Sequence, residues 1–149
     1  MKVALVCSSG GHLAHLLWVQ SAWHDCERAW VCFDTVEARA RLRDASVVWA
    51  HHPTNRNITN LVRNLVVAWR FLCAQQPDVL ITSGAGVAIP WVLLGRLFGV
   101  PCVYLEVVDR LERPSLTLRL LEPLLALVMV HDAQQVAFSP KAVFIGDRS

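Results

Sequence analysis

The sequence predicts an α/β protein, a doubly wound and mostly parallel sheet with helices on both faces. Three observations predict it. Short runs rich in Val, Leu, Ile and Cys alternate with longer segments of helical period along the whole chain. These runs are apolar throughout instead of alternating with polar residues, as strands covered on both faces must be. Glycine-rich turns follow the first and fourth runs, where a strand would feed directly into a helix.

Taken in order, Val3 to Cys7 reads as the first strand, and a small-residue turn leads into a helical stretch from His12 to Trp23. Trp30 to Phe33 and Val47 to Ala50 read as the next two strands, with a helix over Val36 to Arg43 between them. A helix over Asn57 to Ala74 precedes the fourth strand, Val79 to Thr82, and Ala88 to Phe98 reads as the helix after it. The fifth strand is expected over Cys102 to Val107 and a further helix near Ser115 to Leu125. Val128 to Val130 and Val143 to Ile145 complete the set. No repeat or low-complexity tract interrupts it, so residues 1–149 read as one Rossmann-like domain. Its final residues, Gly146-Asp147-Arg148-Ser149, resemble the threshold of an interdomain linker.

Composition narrows the function. A chain of 149 residues buries about 68–70% of its unfolded surface, enough for a core without staples. The net charge of +2 is too small to point to nucleic acid, so none is expected as a partner. With 54% hydrophobic and only 17% charged residues the chain is not disordered, and it has more apolar surface than one core requires. Cys7, Cys26, Cys32, Cys73 and Cys102 form no C-x-x-C pair and read as reduced, buried thiols of a cytoplasmic protein. The apolar start ends at Cys7, too soon for a signal peptide, and Gly84, Gly86 and Pro90 break the uncharged run from Val79 to Gly95. No membrane-spanning helix is read.

In such a sheet, ligands bind beyond the carboxyl ends of the strands, near the point where strand order reverses. The loop Ser8-Ser9-Gly10-Gly11-His12 lets the backbone approach a ligand and opens a helix whose amides suit a phosphate or diphosphate. His12 beside those amides is placed for proton transfer at a ligand hydroxyl, since histidine as a residue type titrates near neutrality; the alternative is a hydrogen-bonded capping residue. His15 makes an H-x-x-H pair with it, but two ligands do not make a metal site, and no metal or cofactor is expected. His51, His52 and His131 read as loop or strand-end histidines. The second loop, Thr82-Ser83-Gly84-Ala85-Gly86-Val87, makes another anion cradle, or its glycines serve close packing alone. After the fifth strand, Glu106 either holds a sugar hydroxyl or a histidine, or pairs with Arg110. Asp34 falls near where a ribose-binding acid would lie, but G-x-G-x-x-G is absent, which weakens a dinucleotide-dependent oxidoreductase.

Along residues 57–74, Ile58, Leu61, Val62, Leu65, Trp69 and Leu72 share one helical face, with Arg56, Arg63 and Arg70 on roughly the opposite one. The arginines are either solvated surface or a row meeting anionic headgroups or phosphates.

Ser8-Ser9-Gly10-Gly11-His12-Leu13, Pro77-Asp78-Val79-Leu80-Ile81-Thr82-Ser83-Gly84-Ala85-Gly86-Val87-Ala88-Ile89-Pro90, and Tyr104-Leu105-Glu106 with Arg110 and Pro114-Ser115-Leu116-Thr117 together resemble one family. It is the acceptor-side, membrane-recruiting subunit of two-component UDP-sugar glycosyltransferases, found in the dolichol pathway and in bacterial exopolysaccharide biosynthesis. The chain also looks like the amino-terminal half of the one-chain enzyme that glycosylates the lipid-linked peptidoglycan precursor. The resemblance spans nearly the whole chain and implies the amino-terminal, acceptor-binding half of a GT-B glycosyltransferase, with the donor-binding domain and its UDP-sugar on a partner chain. It implies a polyprenyl-diphosphate-linked acceptor and peripheral attachment at the inner face of the cell membrane. By that resemblance His12 matches the catalytic base and Glu106 is the second catalytic candidate; Ser9, Gly10, Gly11, Ser83, Gly84 and Gly86 match the two glycine loops, and Glu106 with Arg110 the fifth-strand motif. Where members often have glycine after Ser-Leu-Thr this chain has Leu118, and where they have aspartate before the sixth strand it has Ala126 or Leu127. A non-catalytic module that docks and recruits a catalytic partner is the competing reading.

Overall fold

The computed structural model describes residues 1–146; Asp147, Arg148 and Ser149, read above as part of a linker threshold, lie outside the described residues. The strands are β1 (Lys2–Val6), β2 (Glu27–Phe33), β3 (Val47–Ala50), β4 (Val79–Thr82), β5 (Cys102–Leu105), β6 (Leu127–Val130) and β7 (Ala142–Phe144). They pair in parallel throughout, in the order β3-β2-β1-β4-β5-β6-β7. Strand order therefore reverses between β1 and β4, and this is where a doubly wound sheet opens a crevice. The fifth strand is shorter than expected, ending at Leu105 and leaving Glu106 at its carboxyl tip.

The helices are α1 (Gly11–Trp18), α2 (Val36–Arg41), α3 (Ile58–Gln75), α4 (Ala88–Leu97) and α5 (Leu116–Leu121). α1 is shorter than the sequence suggests. The chain tightens at Val19 into a 3-10 turn over Gln20–Trp23, with no Gly or Pro to announce the break. α5 likewise ends in a 3-10 turn at Glu122–Leu124, here because Pro123 cannot continue an α-helix. A further 3-10 segment, Ala133–Phe138, was not foreseen; Asp132 and Gln135 form a capping box at its start.

Successive β1 side chains feed two cores. Ala4 and Val6 pack with Phe71, Leu72, Trp91 and Leu118 on the α3–α4–α5 side. Val3, Leu5 and Cys7 pack with Leu13, Leu16, Trp23 and Trp30 on the α1 side. Leu118, which departs from the family pattern, is thus a core residue, 1% exposed.

α3 corrects the sequence reading twice. It starts at Ile58, so Arg56 lies outside the helix and only Arg63 and Arg70 share a row on it. Of the apolar face read from the sequence, Ile58, Val62 and Trp69 are exposed, together with Val66; Leu61 and Leu65 are half-buried, and Leu72 is buried alongside Asn60, Asn64, Ala68 and Phe71. The two asparagines are buried because they are satisfied: Asn64 exchanges two bonds with the His51 backbone at 2.8 and 2.9 Å, and Asn60 donates to the Pro53 carbonyl at 2.8 Å. Polar residues on the core face thus pin the segment after β3 and leave Ile58, Val62 and Trp69 outward. Of the cysteines, Cys7, Cys32 and Cys102 are buried as expected, Cys26 is half-buried and Cys73 is exposed.

Candidate functional site

A cleft of about 700 Å³ opens at the carboxyl ends of β1, β4 and β5. One wall is α1, which presents Gly11, His12, His15 and Trp18; the other is the loop from Val107 to Thr117. Asn55, Gly86 and Tyr104 also reach it. Its size suits a ligand larger than a diphosphate.

Helix capping separates the cleft from the rest of the fold. Thr35, Asn57 and Ser115 cap α2, α3 and α5 by accepting a first-turn amide. α1 and α4, which follow the two strands at the reversal point, have no side-chain cap. In α1 the first intrahelical bond runs from Ala14 N to Gly10 O at 2.9 Å, so the amides of Gly11, His12 and Leu13 precede it, facing an anion-binding position. Gly10 makes this entry possible at φ 72. α4 offers less, because Ala88 and Ile89 close its first turn on the carbonyls of Ala85 and Gly86.

His12 is held in one orientation. Its Nδ1 lies 2.8 Å from the Ser83 carbonyl, and a carbonyl only accepts, so Nδ1 carries a proton and the neutral imidazole has its lone pair on Nε2. The Ser83 hydroxyl donates back to the His12 carbonyl at 2.9 Å. The first and second glycine loops are thereby joined, and the imidazole is set as a proton acceptor at the cleft wall.

The other expected residues divide by position. Gly11, His12, Gly86 and Arg110 line the cleft, while Ser9, Gly10, Ser83 and Gly84 shape the loops beneath it. Gly84 has φ 97 and packs so tightly that a Cβ there would overlap the Tyr104 hydroxyl. Glu106 is fully buried and does not pair with Arg110. Its carboxylate instead accepts from the amides of Val107, at 3.1 Å, and Ser115, at 3.0 Å, tying together both ends of the loop that forms the second wall. Tyr104 extends this support with a 3.1 Å bond to the Ser115 hydroxyl, and burial pushes its phenol up from the ordinary value. Arg110 is exposed and in no ion pair among the described residues, so its charge is open to the cleft.

Among the described residues no group of three His, Cys, Asp or Glu side chains is placed to hold a metal. Asp34, at the position of a ribose-binding acid, is engaged by Arg39 Nη2 at 2.8 Å, and this bond lowers its carboxyl below the ordinary range. Trp18 and Asn55 were missed. For Trp18 the signal was present in part: residues 12 and 15, and again 15 and 18, are neighbours three apart on the helix.

The fold is the Rossmann-like amino-terminal half of a GT-B structure, of the kind found in UDP-sugar enzymes. Among solved structures, Acinetobacter baumannii MurG matches 99% of this chain and 46% of its own, with TM-score 0.75 and 18% identity. Anabaena HepE, solved in complex with UDP, matches 100% and 44%, with TM-score 0.70 and 18% identity. The Methanocaldococcus jannaschii UDP-GlcNAc 2-epimerase, solved with UDP-GlcNAc and UDP, matches 99% and 47%, with TM-score 0.76 and 10% identity. This chain therefore spans less than half the length of these proteins. No family model and no curated protein matches it.

Proposed function

We propose that this chain is the acceptor-side subunit of an inverting glycosyltransferase. It binds a polyprenyl-diphosphate-linked acceptor while a partner chain holds the UDP-sugar. The observation that carries the reading is the pairing of an uncapped α1 N-terminus with His12, whose Nε2 is left as an acceptor by the Ser83 carbonyl. The acceptor diphosphate sits at the α1 amides, with Arg110 adding charge. His12 Nε2 takes the proton of the attacking hydroxyl as its oxygen bonds to the anomeric carbon. The bond from that carbon to the UDP oxygen breaks on the opposite side, and UDP leaves with the electron pair.

The outer surface supports attachment to a membrane face. α3, α4 and α5 carry Arg63, Arg70, Arg96 and Arg119 and no acidic residue. The same helices expose Ile58, Val62, Val66, Trp69, Leu93 and Leu97. No helix among the described residues is long and apolar enough to cross a membrane, so attachment is peripheral in this reading. An apolar groove of about 310 Å³ between the starts of α3 and α4 shares Gly86 with the cleft and would take the first part of the polyprenyl chain.

The test is transfer from a panel of UDP-sugars to a polyprenyl-diphosphate-linked acceptor, measured for this chain, its partner and the two together. Turnover only in the mixture is expected. Robust turnover by this chain alone overturns the divided-site reading, and full turnover by the partner alone reduces this chain to a recruiting module.

A further inference from the structure

We propose that Trp18 is a stacking platform for a pyranose ring, a sugar subsite on the α1 wall of the cleft; this deepens the acceptor-binding reading and rests on it. Trp18 is 38% exposed at the cleft although it is the largest apolar side chain on α1. Its ring packs against two others. The His15 ring stacks at a centroid distance of 5.8 Å and 18° between planes, and the His131 ring, from the end of β6, lies at 4.6 Å and 36°. His15 and His131 also contact each other at 4.7 Å, and both are buried. The three rings form one block joining α1 to the sheet. A ring so held loses little freedom when a ligand covers it, which is the condition for a preorganised contact.

The chemistry of the cleft selects a sugar for that ring. The face of an indole is the negative pole of its quadrupole, and the C–H groups on one side of a pyranose present weakly positive hydrogens to it. Hydroxyls at the sugar's rim need donors and acceptors, and Asn55, Asp109, Arg110 and Thr117 line the same cleft. Trp18 follows His12 by six residues, about 9 Å along the helix axis. A glycan whose hydroxyl reaches His12 therefore extends along α1 onto Trp18, with its diphosphate at the helix start.

The binding test uses methyl glycosides of glucose and N-acetylglucosamine, uridine and inorganic pyrophosphate as separate probes. It is read by tryptophan fluorescence and ligand saturation-transfer NMR on the full chain and on Trp18→Leu and Trp18→Phe. Thermal melting confirms that each variant is folded. Glycosides are expected to perturb the wild-type indole signal, to lose that effect in Trp18→Leu and to keep part of their NMR contact in Trp18→Phe, while pyrophosphate binds all three equally. In the complex with the partner, Trp18→Leu should raise KM for the lipid-linked acceptor roughly tenfold with kcat little changed. A Trp18 response to uridine but not to glycosides overturns the proposal in favour of a base-stacking site. An unchanged glycoside response and KM in Trp18→Leu overturns it outright. Either failure leaves the acceptor-subunit reading standing if the mixture still turns over; loss of turnover in the wild-type mixture counts against that reading instead.

Discussion

His12 and Ser83 hold each other in both directions: the imidazole Nδ1 donates to the Ser83 carbonyl at 2.8 Å, and the Ser83 hydroxyl donates to the His12 carbonyl at 2.9 Å. One residue opens α1 and the other follows β4, so the pair spans the reversal point of the sheet. The bonds do different work. The first sets the tautomer and the second sets the height of the helix against the loop.

Substitutions separate the two. Asparagine at position 12 offers an amide donor where Nδ1 stood but nothing in place of Nε2. His12→Asn should therefore keep the fold and the partner contact while lowering turnover by about 10²–10⁴-fold. Ser83→Ala removes only the return bond and should cost about 1 kcal/mol of stability with a much smaller loss of rate. Steady-state rates beside denaturant midpoints check this, and an unchanged rate in His12→Asn returns the histidine to a capping role.

Gly84 and Tyr104 should prove coupled. A methyl group at position 84 must adopt positive φ and also displace the tyrosine hydroxyl, so Gly84→Ala is expected to lose about 2–4 kcal/mol. Tyr104→Phe gives up the bond to Ser115 but removes the closest overlap, leaving the ring Cζ at 2.9 Å from the methyl. In a double-mutant cycle the combined variant should be more stable than the sum of the single losses. Simple additivity in urea midpoints would show that backbone strain alone sets the cost.

Strands and glycine loops were legible because their signals are local: apolar runs between turns, and small residues where a strand meets a helix. β3 and β4 fall where the sequence places them. The orientation of α3 was legible only in part: Leu72 is buried with its stripe, but hydropathy cannot anticipate that Asn60 and Asn64, satisfied by the backbone of His51 and Pro53, take the core face and leave Ile58, Val62 and Trp69 exposed. Glu106 falls at the carboxyl tip of β5, where the sequence places it, but its partners, the amides of Val107 and Ser115, depend on how the loop folds back. No spacing rule connects residues 106 and 115. The ring block of His15, Trp18 and His131 joins residues far apart in sequence, and only its α1 half has a readable period.

Alkaline conditions should weaken the fold. Burial pushes the Cys102 thiol from 9.0 up to about 11. In the unfolded chain the thiol ionises first, so the unfolded state binds fewer protons between these values and stability falls as pH rises. The contribution is intact below pH 9.0 and declines from there toward about 11. The buried Tyr104 acts with the same sign, and so does Cys7, although its partner Cys32, lowered by the same contact, opposes it. Cys102→Ala should therefore lower stability at neutral pH yet make its decline above pH 9.0 less steep. Urea midpoints across this range decide it; parallel curves for variant and wild type would mean that Cys102 does not contribute.

The exposed stripe of α3 makes the most direct prediction about where the protein works. Val66 follows Arg63 by three residues and precedes Arg70 by four, so both arginines border the stripe formed by Val62, Val66 and Trp69. Trp69 also meets Phe98, just after α4, edge-on at 5.0 Å, which continues the apolar surface across two helices. An anionic leaflet should gain about 1 kcal/mol from each arginine, and the indole should settle at the interface. Changing Arg63 and Arg70 together to Gln then weakens binding to anionic vesicles about thirtyfold, from roughly 2 kcal/mol at about 1.4 per tenfold, with little effect on neutral ones. Trp69→Ala should weaken both, since it removes apolar contact instead of charge. Raising salt should mimic the arginine change and leave the tryptophan change intact. Vesicle sedimentation at low and high salt separates these outcomes, and binding that is equal before and after all three substitutions would assign the stripe to a protein partner in place of lipid.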